Sequence, residues 1–374
     1  MLLSAVLCLI NADFGMLAAT ASLFLPPSPQ FLYLPGIEFA FSPEPLLEST
    51  FALLLILAFI SAKLQKASNE EIFALVLFSS GLMGFISALN PFQLFFFLEL
   101  MLLPAFYLIY REDRDAAFKY FAYMQLSSIL VLAGLTSPGK IGALLLNLGF
   151  AIKMGLFPFH SWLPDAHSQA PHYFSALLSG AVVACGAFGI LRFSHALPFL
   201  PYLGLLSTLY GAMLAREEKD VKRVLACSTI SQMGYAAIAL YFAPSFTVLF
   251  LVAHGLAKAS LFFAFGRVIE STGLRVLKAI RVNSKSLFIS ISLSSLGLAG
   301  FPPLLNFFAE LGIASSLPTH FLFLFLLSLV FTILYVERFL ALFLHRGGRK
   351  VEDLVSLLPA LLLLSGVLIW THYL

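Results

Sequence analysis

Asp13, Glu99, Lys153, Lys258 and Glu310 each sit inside an otherwise apolar run. A carboxylate or ammonium group in such a place can pass a proton or hold a small cation. It is also expensive, since a charge at the centre of a bilayer costs about 3 kcal/mol on insertion scales. Intramembrane charges therefore face a bundle interior or water, and they mark ion paths. Lys258 is the sharpest case. His254 precedes it by four residues, which places both on one helix face. A lysine tuned by burial and an imidazole that titrates near neutrality can exchange protons; the competing reading is a static buried ion pair. Glu99 lies in the run Phe95-Phe96-Phe97-Leu98-Glu99-Leu100-Met101 and needs a nearby cation to stay ionised, for which Lys153 is the natural candidate. Lys153 lies close enough to a helix end to snorkel instead. Glu310 follows the Phe301-Pro302-Pro303 break and is placed to cap an ion route. Asp13 reads more simply as a helix-contact residue with a Ser or Asn partner.

The segment His160-Ser161-Trp162-Leu163-Pro164-Asp165-Ala166-His167, followed by His172, has the residue types of a metal site. Its spacing matches no zinc pattern, and Pro164 and Pro171 are expected to hold it extended. We expect no metal, and an interfacial Trp with His160, Asp165 and His167 anchoring the loop and relaying protons. Cys8, Cys185 and Cys227 are far apart and read as packing residues. No nucleophile–base pair, phosphate loop or cofactor fingerprint is visible, so no cofactor and no catalytic site of the chain's own is expected.

The elements that must position these residues follow from composition. The chain is 60% hydrophobic and 11% charged, against about 25% charged in soluble domains. Its mean hydropathy is +0.96. Such a chain needs lipid as its main solvent, and it lacks the clustered basic face that nucleic acid requires. Apolar runs predict helices near 2–25, 45–63, 71–89, 92–110, 115–135, 139–158, 172–193, 197–214, 220–242, 246–270, 284–316, 319–344 and 354–373, about 13 in all. The fold class is thus an all-α polytopic membrane protein, with residues 1–374 forming a single integral membrane domain. Gly297, Gly300, Pro302 and Pro303 break the segment 284–316, a feature tolerated where protein or a polar cavity satisfies the freed backbone groups. The alternative is a packing kink.

Charge alternates between loops. Lys63 and Lys66, then Arg111, Arg114 and Lys119, then Arg216, Lys219, Lys222 and Arg223 fall on one side. Arg267, Arg275, Lys278, Arg281 and Lys285, and then Arg346, Arg349 and Lys350, continue that side, while only Lys140 and Arg192 face the other. The positive-inside rule puts the basic loops and the N-terminus in the cytoplasm and the C-terminus outside. Ala19-Thr20-Ala21 imitates a signal-cleavage site, but no basic residue precedes the apolar run and Asn11 and Asp13 interrupt it, so residues 2–25 read as a retained helix.

The run Lys153-Met154-Gly155-Leu156-Phe157-Pro158-Phe159-His160-Ser161-Trp162-Leu163-Pro164-Asp165-Ala166-His167 resembles the signature of antiporter-like membrane subunits, found in respiratory complex I, membrane-bound hydrogenases and multisubunit sodium/proton antiporters. Glu99 to Pro104, His254 to Gly266, and Gly300-Phe301-Pro302-Pro303 leading to Glu310 look like three further motifs of that family, in its order. The resemblance spans roughly residues 70–345, flanked by N-terminal helices over 1–69 and a C-terminal helix over 346–374. It implies two inverted five-helix repeats, each with a broken helix. It also implies a gating pair in Glu99 and Lys153, a central relay in Lys258 with His254, and an exit carboxylate in Glu310. Family members usually carry Lys or His on the helix after the signature loop. Here those positions hold Ala184 and Ser179. The implied setting is the cytoplasmic membrane of a prokaryote. The implied partners are other membrane subunits, antiporter-like homologues among them, with an iron–sulfur redox arm reached indirectly. An ion-translocating subunit of an oxidoreductase complex, a degenerate spacer in such a complex, and a subunit of a redox-independent Na⁺/H⁺ antiporter all remain open.

Overall fold

The computed structural model describes residues 31–34, 37–40, 44–343, 349–350 and 353–370. The helix expected over 2–25, Asp13 and Cys8 lie outside the described residues. After a short antiparallel hairpin, β1 (Phe31–Leu34) with β2 (Ile37–Ala40), the chain is helical. Helix α1 spans Pro45–Leu64 and α2 spans Asn69–Ser87. They are followed by α3 (Pro91–Tyr110), α4 (Arg114–Thr136) and α5 (Gly139–Met154). Sequence punctuation fixes the starts. Ser68 with Glu71 and Asn90 with Gln93 form reciprocal capping boxes, and Asp113 caps α4. Pro45 and Pro91 stand in first turns, where no backbone donor is required.

The segment expected as one helix over 139–158 stops at Met154, because Gly155 takes a left-handed conformation with φ 69°. The stretch expected to be extended is instead a 3₁₀ turn and a buried half-helix, α6 (Trp162–Gln169). Pro164 falls in its first turn, so it starts the helix rather than preventing it. Then come α7 (His172–Leu177), one π-helical turn over Leu178–Val182, and α8 (Val183–Phe193), which together make one crossing.

The second half follows the same order: α9 (Leu200–Glu217), α10 (Val221–Phe242), α11 (Pro244–Thr272), then α12 (Lys285–Leu298) and α13 (Leu305–Ser315) as a broken pair, then α14 (Thr319–Leu340). Gly300, at φ 63°, ends the first half of this pair as Gly155 does in the other. Both breaks also hold a cis X–Pro bond, Phe157–Pro158 and Pro302–Pro303. Packing repeats too: α2 on α3, α3 on α4 and α4 on α5 correspond to α9 on α10, α10 on α11 and α11 on α12. Five crossings are an odd number, so the second set begins on the opposite side and the repeats are inverted.

Among the described residues nine helical segments are long and apolar enough to cross a membrane, with Lys285–Leu298 a shorter apolar helix. Of the crossing expected over 354–373, the described residues form α15 (Leu357–Leu362), a 3₁₀ turn and α16 (Gly366–Trp370), one unbroken helical stretch. It packs on α11, α12 and α13. Helix α1, assigned by sequence to a flanking region, packs against α2, α7 and α11. One apolar cluster runs from Leu47 to Leu363. A two-residue parallel pairing, β3 (Val282–Asn283) with β4 (Arg349–Lys350), completes the described elements.

Candidate functional site: a line of buried charges between two helix breaks

Each break must satisfy the carbonyls it frees. At the first, Gly155 N–H and the Trp162 indole N–H both donate to Ile152 O, at 3.0 and 3.2 Å. Phe157 N–H donates to Ser207 Oγ of α9 at 2.9 Å. Trp162 is therefore an internal strut, fully buried, and not the interfacial anchor expected from sequence. At the second break, Gln232 Nε2 of α10 donates to Leu298 O at 3.2 Å. In both repeats a side-chain N–H from another element holds the end of the first half-helix.

Lys153 is the penultimate residue of α5, at the break, with 4% of its surface exposed. It does not snorkel. The carbonyl end of a helix favours a cation there, and Lys153 lies within electrostatic reach of Glu99 and Cys185. No ion pair closes between Lys153 and Glu99 among the described residues, and Glu99 Oε1 is buried without a protein hydrogen-bond partner. Glu99 reaches this place because Gly81 and Gly84 let α3 approach α2. A Cβ on Gly84 would stand 2.3 Å from the Phe97 ring.

Lys258 lies at the midpoint of α11 and is fully buried. Its Nζ donates to Leu225 O at 3.0 Å and to the Ser228 hydroxyl, both on α10. No carboxylate pairs with it among the described residues, so the static ion-pair reading fails. His254 is also fully buried, stacks on Phe250, and has no protein hydrogen-bond partner at either nitrogen.

His167 stacks on Phe262 of α11 with ring centroids 4.7 Å apart. It lies within electrostatic reach of both Lys258 and Lys222, and its ring nitrogens too have no protein partner. Lys222 is buried at the start of α10 and donates to Ala170 O. It borders a cavity of about 560 Å³ whose wall includes Glu71, Glu112, His172, Lys222, Glu270 and Arg275. This cavity opens on the side of the basic loops. Sequence reasoning missed Lys222 because it sits among ordinary loop cations; only the fold buries it.

Glu310 of α13 is 4% exposed, and its Oε1 has no protein partner. Its carboxylate lies over Gly300, where an added Cβ would stand 2.0 Å from Glu310 Oε2. Pro302 and Pro303 form the turn between Gly300 and α13. Between Lys258 and Glu310 runs a polar cluster also missed from sequence. Ser228, Gln232 and Tyr235 follow one face of α10. Gln232 meets Tyr335 at 3.4 Å, and Tyr235 meets Thr332 and Ser328 at 3.2 and 3.0 Å. Both tyrosines lie within electrostatic reach of Glu310. The available signal was the density of Ser, Thr, Gln and Tyr in α10, a helix buried almost throughout.

Other candidates have structural surroundings. Asp165 bonds Lys119 of α4 and Arg223 of α10, each at 2.6 Å, and so clamps α6 between them. Glu218 extends this clamp to Arg223 at 3.0 Å. Burial would raise the Glu218 carboxyl, but backbone N–H groups of Lys219 and Asp220 together with Arg223 hold it below its ordinary range. His160 packs on Phe157 and Tyr210. No cluster of metal-ligating side chains occurs among the described residues. Ala184 is fully buried beside Cys185, and the Ser179 hydroxyl is shared with Thr229 at 2.7 Å. No charged side chain stands at either position where the family carries Lys or His.

Comparison with known proteins agrees with this geometry. The family model described as NADH:quinone oxidoreductase/Mrp antiporter, TM, matches residues 135–335. NADH-quinone oxidoreductase subunit M of Escherichia coli K12 is 34% identical over 247 residues, which cover 53% of this chain and 48% of that one. The chain thus spans about half the length of the curated relatives it matches. Among solved structures, a chain of respiratory complex I from Thermus thermophilus superposes with a TM-score of 0.82 at 25% identity, over 97% of this chain and 90% of that one. A chain of the archaeal membrane-bound sulfane sulfur reductase superposes with a TM-score of 0.86 at 19% identity, over 98% and 73%. The two inverted broken-helix repeats, the buried charges and these matches give one answer: the chain belongs to the NADH:quinone oxidoreductase/Mrp antiporter family of multi-pass membrane subunits.

Proposed function

We propose that the chain is an ion-translocating, antiporter-like subunit of a multisubunit membrane redox complex and carries H⁺ or Na⁺ across the cytoplasmic membrane of a prokaryote. The observation that supports this best is Lys258, a fully buried amine held by neutral groups alone. A cation with no fixed counter-charge can gain and lose a proton without breaking an ion pair. In this reading, protons enter through the cavity past Lys222, His172 and His167 and reach Lys258 with His254. They leave through Gln232, Tyr235 and Tyr335 to Glu310. Glu99 and Lys153 form a switch in the first repeat, with no ion pair closed between them among the described residues. The basic loops and the N-terminus are cytoplasmic and the C-terminus is outside. Partners are other membrane subunits, including antiporter-like homologues, and a redox arm through them; the chain itself performs no redox chemistry. The test is Lys258→Ala in the purified complex, reconstituted in vesicles. Ion uptake driven by the redox reaction falls to background while the subunit inventory is unchanged. Undiminished uptake sinks the proposal.

One observation favours a second reading. The fully buried Ala184 leaves no titratable side chain where the resemblance places a lysine, as a spacer subunit with half a channel would. Ala184→Lys separates the two: uptake present only in that variant identifies a spacer. A preparation free of redox subunits points instead to an antiporter that needs no redox partner.

A further inference from the structure

A second cavity, wider than the one beside Lys222, lies away from the ion path, on the side of the basic loops. It measures about 1030 Å³ and is bounded by the end of α9, residues 276–281 and the end of α14. Its wall carries Arg216, Lys219, Lys278, Arg281 and Arg338 against Glu217 and Glu337, five cations less two carboxylates, or +3. Some of this charge is committed. Arg216 pairs with Glu337 at 2.9 Å, and Arg338 donates to the backbone carbonyls of Ala215, Arg216 and Glu218. These bonds tie α9 to α14 and make a rigid wall. Lys219 and Lys278 have no side-chain hydrogen bond or ion pair among the described residues. Arg281 donates through Nη1 to the carbonyls of Lys278 and Ile280, at 2.8 and 2.7 Å, so its remaining donors are free to face the cavity.

The floor is apolar, formed by Leu277, Leu340 and Leu342. It continues onto a stripe of α14, where Leu327, Val330 and Leu334 recur at helical spacing and are exposed. On a helix long and apolar enough to cross a membrane, that exposed stripe is suited to hydrocarbon, and it ends in the cationic basin. We propose that this basin binds the anionic headgroup of a membrane phospholipid. The phosphate sits among Lys219, Lys278 and Arg281, and the acyl chains lie along α14. A free phosphate would use the cations but has no need of the stripe. An acidic protein segment would leave the stripe in lipid. Basic pockets between transmembrane helices at the cytoplasmic face suit such headgroups.

The test uses the purified full chain in phosphatidylcholine micelles, titrated with phosphatidylglycerol while melting temperature and bound lipid phosphorus are followed. Phosphatidylglycerol binds saturably and raises the melting temperature. Each neutralisation, Lys219→Ala, Lys278→Ala or Arg281→Ala, weakens half-saturation by about fivefold, and the triple variant by about a hundredfold. The charge-conserving triple Lys219→Arg, Lys278→Arg, Arg281→Lys keeps parental binding. If the alanine triple loses melting temperature in phosphatidylcholine alone, Lys278→Glu at this exposed position serves in its place. The proposal is overturned if neutral and reversed variants bind phosphatidylglycerol like the parent, if phosphatidylcholine competes equally, or if inorganic phosphate alone gives the same shift.

Discussion

Glu310 owes its position to a residue with no side chain. Its carboxylate lies over the Cα of Gly300, where any Cβ would stand 2.0 Å from Oε2. Gly300 also holds φ 63°, which costs an L-residue about 1–2 kcal/mol. Gly300→Ala therefore strains the turn by about that amount and pushes the carboxylate away from Tyr235 of α10 and Tyr335 of α14. We expect the melting temperature to fall by a few degrees and ion uptake by much more than the loss of folded protein explains. Uptake that tracks the folded fraction would show that the position of Glu310 is immaterial. The identity of Glu310 as an intramembrane carboxylate was readable in the chain, and so was the importance of its double proline. Its contact with Gly300 was not, because ten residues of broken backbone separate the two and only the turn brings them together.

At the level of elements, the two broken helices share a device. A donor from elsewhere caps the carbonyl end of the first half: Trp162 from α6 in one repeat, Gln232 from α10 in the other. Trp162→Phe keeps an aromatic ring beside Tyr120 but removes the N–H and part of the buried ring volume, which adds a cavity cost to the lost bond. The loss of one buried hydrogen bond costs about 1 kcal/mol. Thermal unfolding of the purified chain measures it, and Lys153, one residue beyond Ile152, is displaced with the helix end. An unchanged melting temperature and unchanged uptake would mean that the indole bond does not hold the break. This arrangement was illegible beforehand. Pro164 and Pro171 read as extension signals, whereas Pro164 occupies a first helical turn and Asp165 is clamped by Lys119 and Arg223. Proline position within a turn decides between starting a helix and stopping one, and composition does not report that position.

For the whole molecule, topology is the property most open to direct test. Five crossings per repeat and the asymmetry of Lys and Arg put Lys66 and Lys140 on opposite faces. In a chain with its native cysteines replaced by alanine, Lys66→Cys is expected to react with a membrane-impermeant thiol reagent only from the cytoplasmic side, and Lys140→Cys only from outside. Labelling of both from one side would reverse the topology and, with it, the direction assigned to the Lys222 cavity. The hydropathy pattern located most of the described crossings up to α14 within a few residues, because a 30 Å apolar slab leaves little choice of length; the exception is the crossing Gly139–Gln169, expected to end at 158. Toward the C-terminus, the described part of the apolar run over 354–373 is α15, a 3₁₀ turn and α16, packed against α12 and α13.

The chain by itself determined the solvent, the number and spacing of most helices, and that Lys153, Lys258 and Glu310 are buried, because the cost of placing polar groups in hydrocarbon is a property of local sequence. Only the tertiary structure decided what those residues face. It set Lys258 against Leu225 and Ser228 rather than a carboxylate, joined Lys222 and His167 to the same line, and buried Ala184 completely. Helix periodicity tells which residues share a face, but which helix that face meets depends on contacts between residues dozens of positions apart.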